Sequence, residues 1–209
     1  MLRVYAIAAA VFVLAITGGI FAYTQFAGTP DKYAQCRSTA IAGGASQIGG
    51  PFTLIDETGA TVTDADVIDQ PSLIYFGYTF CPDVCPLDTA RNAEAIDILE
   101  ERGLMVKPVF ISVDPERDTP EVVNDFTANL HERMLGLTGT PEQVRAASRA
   151  YRTFYQKQEP AVGDEDYYLV DHSTMSYLVF PQEGFIEVFQ RALRADDVAD
   201  RIQCFLEAR

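Results

Sequence analysis

The sequence begins with an apolar stretch that is long enough to cross a membrane. No charged residue occurs from Val4 to Pro30, and residues 4–23 read VYAIAAAVFVLAITGGIFAY. At 1.5 Å per helical residue, about 20 residues span the roughly 30 Å of bilayer hydrocarbon. This stretch constrains the rest of the chain, because it predicts a transmembrane anchor over residues 1–23 that is separate from any globular domain.

The positive charge of Arg3 leaves two interpretations of this stretch. A cleaved signal peptide also starts with a positive charge, but the apolar run exceeds a usual signal core and no small-x-small site follows it. We therefore expect an uncleaved anchor with Arg3 on the cytoplasmic side. The remainder would lie on the periplasmic side, or in the intermembrane space of a mitochondrion, where cysteines can be oxidised.

Length and charge limit what the rest of the chain can do. A chain of 209 residues allows one globular domain with a substantial core. A net charge of -14 argues against binding the phosphates of nucleic acids or an anionic membrane surface. Residues 24–50 are rich in glycine and alanine and predict a flexible tether, which leaves residues 51–209 as the folded domain.

Beyond residue 50, segments typical of strands and helices alternate. Residues 51–63 predict a hairpin that turns at 57–59, and the apolar run SLIYFGY predicts a buried strand. Helices are expected from near Pro86, from Thr119 with Pro120 behind it, and from Thr140. Thr140 and Gln143 form a capping box, a further indication of a helix start.

The later part of the chain continues this pattern. We expect strands over residues 106–114 and 134–139, a hairpin-like excursion around Gly163, a strand pair over residues 175–189 and a terminal helix from about Ala195. Alternating strands and helices that end in an antiparallel hairpin predict an α/β sandwich with a mixed sheet.

Two cysteines, Cys81 and Cys85, lie in the sequence CPDVC between the buried strand and the first helix. The free N–H groups and the dipole at a helix start favour negative charge, so we expect both thiols to be exposed and to have a depressed pKa. Three intervening residues, where thioredoxin-type reductases have two, put the sulfurs about one helical turn apart. Spacing alone leaves a disulfide, a catalytic thiol pair and a metal site open.

The chain has two histidines that could add a third ligand. His131 is expected at the carboxyl end of a helix, where an imidazole interacts favourably with the dipole, and we interpret it as structural. His172 lies in LVDHSTMSYLVF, in an expected loop at one end of the sheet, where a lone histidine is more often a polar surface residue than a ligand. If Cys81 and Cys85 lie at the same end, two sulfurs and one imidazole nitrogen converge there. These donors suit Cu(I), or Cu(II) with an added oxygen ligand. They suit zinc less well, because a structural zinc site normally has a fourth protein ligand.

Three separated motifs together resemble the Sco/SenC family. They are YFGYTFCPDVCP, then VDPERDTP from Val113 to Pro120, then VDHS from Val170 to Ser173. The resemblance runs from about Pro51 to Phe189 and includes the amino-terminal anchor. It implies a thioredoxin-like mixed sheet flanked by helices, with an added N-terminal hairpin, a hairpin insertion and one N-terminal transmembrane helix.

The resemblance also implies a function. It indicates a metallochaperone that binds copper, as Cu(I) and Cu(II), through Cys81, Cys85 and His172. The implied partner is cytochrome c oxidase subunit II, whose CuA site would receive the copper or whose cysteines would be reduced by Cys81 and Cys85 as a redox pair. Another copper chaperone and a thioredoxin-like reductant are further expected partners. A thiol-disulfide oxidoreductase and a copper or redox sensor remain alternatives.

Other residues carry weaker expectations. Asp83 is expected to be exposed and to aid copper entry or partner recognition, although a loop turn explains it equally well. The resemblance makes Asp114 and Arg117 candidates for supporting the site or recognising a partner, while a strand-to-helix loop explains them too. Asp171 is not expected to orient His172, because adjacent side chains on an extended segment point to opposite faces.

Two further cysteines, Cys36 and Cys204, fall outside the three motifs. In an oxidising compartment an even remainder of two indicates a disulfide, here one that joins the tether to the last helix. Free thiols and intermolecular pairing are the alternatives.

Overall fold

A computed structural model describes residues 2–26, 31–37, 47–160 and 167–209 of the chain. These residues fall into two compact units, Met1–Gln35 and Cys36–Arg209. Residues 27–30 and 38–46 of the predicted tether, and the predicted excursion at Gly163 itself, lie outside the described residues.

The first unit contains one long helix, α1 (Leu2–Phe26). Its Arg3–Tyr23 segment is long and apolar enough to cross a membrane, and none of it is buried. Among the described helices no other meets this test of length and composition. A secretory signal would pass the same test, so α1 is a candidate anchor.

The second unit is built from nine strands and five helices within the described residues. In chain order they are β1 (Thr53–Asp56), β2 (Thr61–Thr63), α2 (Asp64–Val67), β3 (Ser72–Gly77), α3 (Val84–Glu101), β4 (Lys107–Ser112), α4 (Pro120–Ala128), β5 (Leu135–Thr138), α5 (Pro141–Ala150), β6 (Tyr155–Lys157), β7 (Val170–His172), β8 (Ser176–Phe180), β9 (Gly184–Phe189) and α6 (Ala195–Glu207).

Seven strands form one mixed sheet in the order β2-β1-β5-β4-β3-β8-β9. Strands β3, β4 and β5 are parallel, whereas β1, β2, β8 and β9 pair with their neighbours in antiparallel fashion. Strand β3 is buried along its whole length, as its continuous apolar and aromatic run predicts. The predicted mixed sheet and added N-terminal hairpin are therefore confirmed.

Local signals place the helices that flank this sheet. Thr119 caps α4 by accepting a hydrogen bond from the N–H of Val122, and Pro120 occupies the first turn. Thr140 and Gln143 form the predicted capping box at the start of α5. Helix α3 begins at Val84, two residues before Pro86, so that Cys85 is already inside the helix.

A separate two-stranded sheet, β6 paired with β7, forms the arms of the predicted hairpin insertion. Tyr155 of β6 lies opposite His172, which is the last residue of β7. The expectation that His172 lies in a loop is therefore wrong. Strand β7 is only three residues long and ends in two polar residues, Asp171 and His172, and it is a strand because it pairs with β6.

Cys36 and Cys204 are joined by a disulfide in the structure, across a sequence separation of 168 residues. Cys36 lies in a short turn and Cys204 in helix α6. The bond ties the start of the second unit to its last helix. A cross-link that closes so long a loop stabilises mainly by restricting the unfolded chain, in the chain-entropy account.

We expect Cys36→Ser to lower the free energy of unfolding by about 2–5 kcal/mol, because it removes that restriction. Thermal unfolding of the variant, measured beside the wild type in the same detergent, checks this. A reductant should bring the wild type to the midpoint of the variant. A midpoint that does not change on substitution would contradict a stabilising disulfide.

Candidate metal centre

The strand, loop and helix that hold the two cysteines lie at the carboxyl end of β3. Cys81 lies in the loop, and Cys85 is the second residue of α3. A β-carbon added at Gly77 would lie 3.0 Å from the Cys85 Sγ and 2.8 Å from the Tyr75 ring. A side chain at position 77 would therefore displace the sulfur, which gives the glycine of YFGYTF a specific role.

His172 reaches this loop from strand β7. Its Nε2 lies 3.1 Å from the Cys85 Sγ, and its Nδ1 lies 2.9 Å from the Ser173 carbonyl oxygen. A carbonyl only accepts hydrogen bonds, so Nδ1 carries a proton, while Nε2 faces the sulfurs. The ligand atoms of Cys81, Cys85 and His172 all lie within 4.8 Å of one another.

The two cysteines are less accessible than the sequence suggested. Cys81 is 9% exposed and Cys85 is 0% exposed, whereas His172 is half-buried. The loop is exposed at Phe80, Pro82 and Asp83, but the expectation that both thiols are exposed is wrong, because the first turn of α3 directs Cys85 inward against Gly77. Both cysteines are free thiols in the structure.

The expectation that both thiols have a depressed pKa is also wrong. A hydrogen bond from the Cys85 thiol, together with N–H groups at the start of α3, lowers the pKa of Cys81. One of these is the Cys85 N–H, which lies 3.3 Å from the Cys81 Sγ. The same thiol contact, followed by burial, raises the pKa of Cys85. These opposite pKa shifts favour a thiolate at Cys81 beside a protonated thiol at Cys85.

Two tyrosines enclose the imidazole, and sequence reasoning did not single them out. The Tyr75 and Tyr78 rings meet the His172 ring edge-on, with ring centroids 6.2 and 5.7 Å away. The Tyr78 hydroxyl accepts a hydrogen bond from the Val170 N–H at 3.3 Å. Tyr78 thus links the cysteine loop to β7. The signal that could have found both residues is their position flanking Gly77 at the end of a buried strand.

Asp114 and Arg117 form part of a clamp on the hairpin insertion. Arg117 Nε donates to Asp114 at 2.6 Å, and the Tyr168 hydroxyl donates to the other oxygen of Asp114 at 2.8 Å. The Arg117 guanidinium lies 3.6 Å from the centroid of the Tyr168 ring and 4.8 Å from that of Phe80. Arg117 therefore contacts both the segment that leads into β7 and the loop before Cys81.

The other named residues lie around the site without joining the ligand atoms. Asp83 is exposed, as expected, and its backbone N–H helps to lower the pKa of Cys81. Asp171 accepts a hydrogen bond from Gln158, so it does not orient His172.

His131 lies apart from the three donors, with its Nε2 3.3 Å from Asp97. Asp118, another residue of the VDPERDTP motif, is fully buried and accepts hydrogen bonds from Thr79 and Ser112.

The chemistry of this cluster defines a class of protein. Two sulfurs and one imidazole nitrogen are soft donors, which suit copper, and a three-donor group leaves room for an entering ligand. A thioredoxin-like domain that carries such a group beyond the carboxyl end of strand β3 can bind a soft metal or exchange thiols with a partner.

Comparison with known proteins identifies the family. The SCO1/SenC family model matches residues 41–207. Protein SenC of Rhodobacter capsulatus is 52% identical over 203 residues, which cover 97% of this chain and 90% of SenC. The mitochondrial SCO1 homolog 1 of Arabidopsis thaliana is 42% identical over 160 residues, 76% of this chain but only 47% of that protein. The chain belongs to the SCO1/SenC family.

A solved structure supports the same assignment. The crystal structure of Arabidopsis thaliana ScoI with copper bound is 41% identical, with a TM-score of 0.71. The alignment covers 77% of this chain and 99% of that one. The thioredoxin-like fold predicted from the resemblance is thus confirmed.

In the reduced, metal-free protein we expect iodoacetamide to alkylate Cys81 much faster than Cys85 at pH 7. The pKa of Cys81 is lowered, so its reactive thiolate is present at this pH and is lost only as the pH falls to that lowered pKa. Peptide mapping by mass spectrometry measures both rates. Cys85→Ala removes the thiol donor and should move the Cys81 midpoint to higher pH. Equal labelling of both thiols would contradict the assignment.

Proposed function

We propose that this protein is a copper metallochaperone that binds one copper through Cys81, Cys85 and His172. The observation that carries the proposal is the convergence of these three soft donors within 4.8 Å. A relative of known structure, Arabidopsis ScoI, was solved with copper bound. The donor set fits copper, because two thiolates and an imidazole favour Cu(I) and accept Cu(II) with one more oxygen ligand.

We propose further that the copper is delivered to the CuA site of cytochrome c oxidase subunit II. The Sco family is described as one of cytochrome c oxidase assembly proteins. Three protein ligands leave a position that a partner cysteine can enter, after which copper passes by ligand exchange. The half-buried His172 is the most accessible of the three donors, so it is the first that a partner ligand would replace.

A second candidate function uses the same two thiols as a reductant of subunit II. The Cys81 thiolate would attack the target disulfide to form a mixed disulfide and release one target thiolate. Cys85, once it loses its proton, would displace the second target thiolate and close a Cys81–Cys85 disulfide. The split between the two pKa values favours this order of attack. A thioredoxin-like partner would then restore the thiols.

We propose that α1 is a retained anchor, residues 24–50 a tether and residues 51–209 the copper-binding domain on the periplasmic side. The length and apolar composition of Arg3–Tyr23 support the anchor, and Arg3 supports the orientation. Anchoring would raise the effective concentration of the domain near a membrane-bound oxidase. Protease added to intact spheroplasts should digest the domain, and protection of it would contradict this orientation.

The residues around the donors have supporting roles in this proposal. Arg117, Asp114 and Tyr168 hold the segment that carries His172 against the cysteine loop. Asp83 is exposed beside Cys81 and is available to a partner or to another copper chaperone that supplies the metal. A sensor that signals its copper state to a membrane partner remains the third candidate.

We expect His172→Ala to weaken Cu(I) binding by at least about tenfold, because it removes one of three ligands. Competition with a chromophoric Cu(I) chelator, on the full chain in detergent without oxygen, measures the affinity and the stoichiometry. The wild type should bind one copper per chain. His131→Ala is the matched control and should bind as the wild type does. Copper binding that is indifferent to His172 would contradict the three-ligand site.

Delivery, reduction and sensing give different results with a purified CuA domain. A chaperone moves copper to the reduced apo domain, and His172→Ala impairs that transfer. A reductase converts the oxidised domain to its dithiol without copper and without need of His172. A sensor does neither.

A further inference from the structure

A groove of about 420 Å³ lies beside the hairpin insertion, apart from the three metal-ligand candidates. One wall is strand β6 with Phe154 before it, and the other is helix α5, which contributes Arg145, Ser148 and Arg149. The segment Val113–Glu116 closes one side. Side chains alternate between the two faces of a strand, yet four consecutive residues, 154–157, line this groove. The groove therefore follows the length of β6, including its outer edge, and also reaches Val170 of β7.

This edge of β6 has backbone groups free to bind another strand. Phe154 and Gln158 form backbone hydrogen bonds to the β7 side, with Ser173 and Leu169. In an antiparallel pair such bonds recur at every second residue, so the N–H and C=O groups of Tyr155 and Lys157 point the other way. Within the described part of the chain no strand pairs with that edge. An open edge of this kind is a template for an extended peptide.

The opposite wall of the groove is positively charged. Arg145 and Arg149 are exposed, lie one helical turn apart on α5, and form no ion pair with a described residue. The acidic groups that line the groove are already paired, Asp114 with Arg117 and Glu116 with Lys157. Glu142 is an acidic neighbour of Arg145 on the same helix, although the two form no ion pair. Arginines without an ion pair, in a chain of net charge -14, favour a ligand that carries carboxylates.

We propose that this groove binds an extended acidic segment of a partner protein, which adds as a third strand to β6. Its backbone pairs with Tyr155 and Lys157, and its carboxylates meet Arg145 and Arg149. Tyr155 lies opposite His172. A strand added to β6 therefore runs about 10 Å from β7, two strand spacings away, and holds the partner beside the metal-ligand candidates without occupying them. The proposal does not depend on copper binding.

The first test uses the metal-free full chain in detergent and a fluorescent octapeptide of alternating glutamate and threonine. Fluorescence anisotropy measures binding, which we expect to weaken as salt is added. Two further peptides carry N-methyl groups either on all glutamates or on all threonines. Strand addition uses the N–H groups of alternate residues only, so one methylated peptide should lose binding and the other should keep it within about twofold. Loss with both, or with neither, overturns strand addition.

A pair of matched variants tests the charged wall. Arg145→Gln with Arg149→Gln should weaken peptide binding by roughly threefold to thirtyfold, since exposed ion pairs contribute modestly. Arg102→Gln with Arg194→Gln removes the same charge from surface residues outside the groove lining and should leave binding unchanged. Equal weakening in both pairs would mean general charge attraction and would overturn the assignment.

A second copy of this chain is the competing occupant. Sedimentation compares the wild type and the double variant Arg145→Gln with Arg149→Gln, both without peptide. We expect the wild type to show no self-association that is lost in the double variant. Such self-association would assign the groove to a second copy and overturn the proposal of a partner segment. Copper titrations of the same variants test the proposed metal site independently of the groove, because neither Arg145 nor Arg149 contacts the three donors.

Discussion

The contact between the Cys85 sulfur and the His172 imidazole, 3.1 Å long, joins two segments that are 87 residues apart in the chain. The neighbouring residues position the sulfur and the imidazole for this contact. Gly77 leaves space for the sulfur, the Ser173 carbonyl fixes the tautomer, and the rings of Tyr75 and Tyr78 hold the imidazole edge-on. A soft-metal site of three ligands needs such support, because it lacks the fourth ligand that closes a structural site.

Burial and hydrogen bonding give the thiols of Cys81 and Cys85 different pKa values and therefore different chemical roles. Cys81 keeps its negative charge because the thiol of Cys85 and the N–H groups at the start of α3 donate hydrogen bonds to it. The contact with Cys81, followed by burial, raises the pKa of Cys85, so this thiol gives up its proton when a metal binds the sulfur or when a disulfide forms. One fold can therefore support both ligand exchange and thiol exchange, and a partner's chemistry decides between them.

The hairpin insertion connects the ligand group to the outer surface. Its strand β7 ends at His172, its strand β6 has one edge with which no described strand pairs, and Tyr168 packs against Arg117. The Arg117 side chain in turn contacts Phe80, next to Cys81. A partner that binds along β6 would thus touch the element that carries the imidazole, which links recognition to the geometry of the donors.

Much of this protein follows from local sequence signals. The apolar run before Pro30, the buried strand β3 and the Thr-Pro starts of α4 and α5 are readable because caps and periodicity act over a few neighbours. The candidate ligands Cys81, Cys85 and His172 are identified as a set through the resemblance of three separated motifs to the Sco/SenC family. Tertiary structure alone decided the inward position of Cys85, the unequal pKa values of the two thiols, the strand that contains His172 and the clamp of Arg117 on Tyr168. These features depend on segments distant in the chain, and burial and electrostatics arise only when such segments meet.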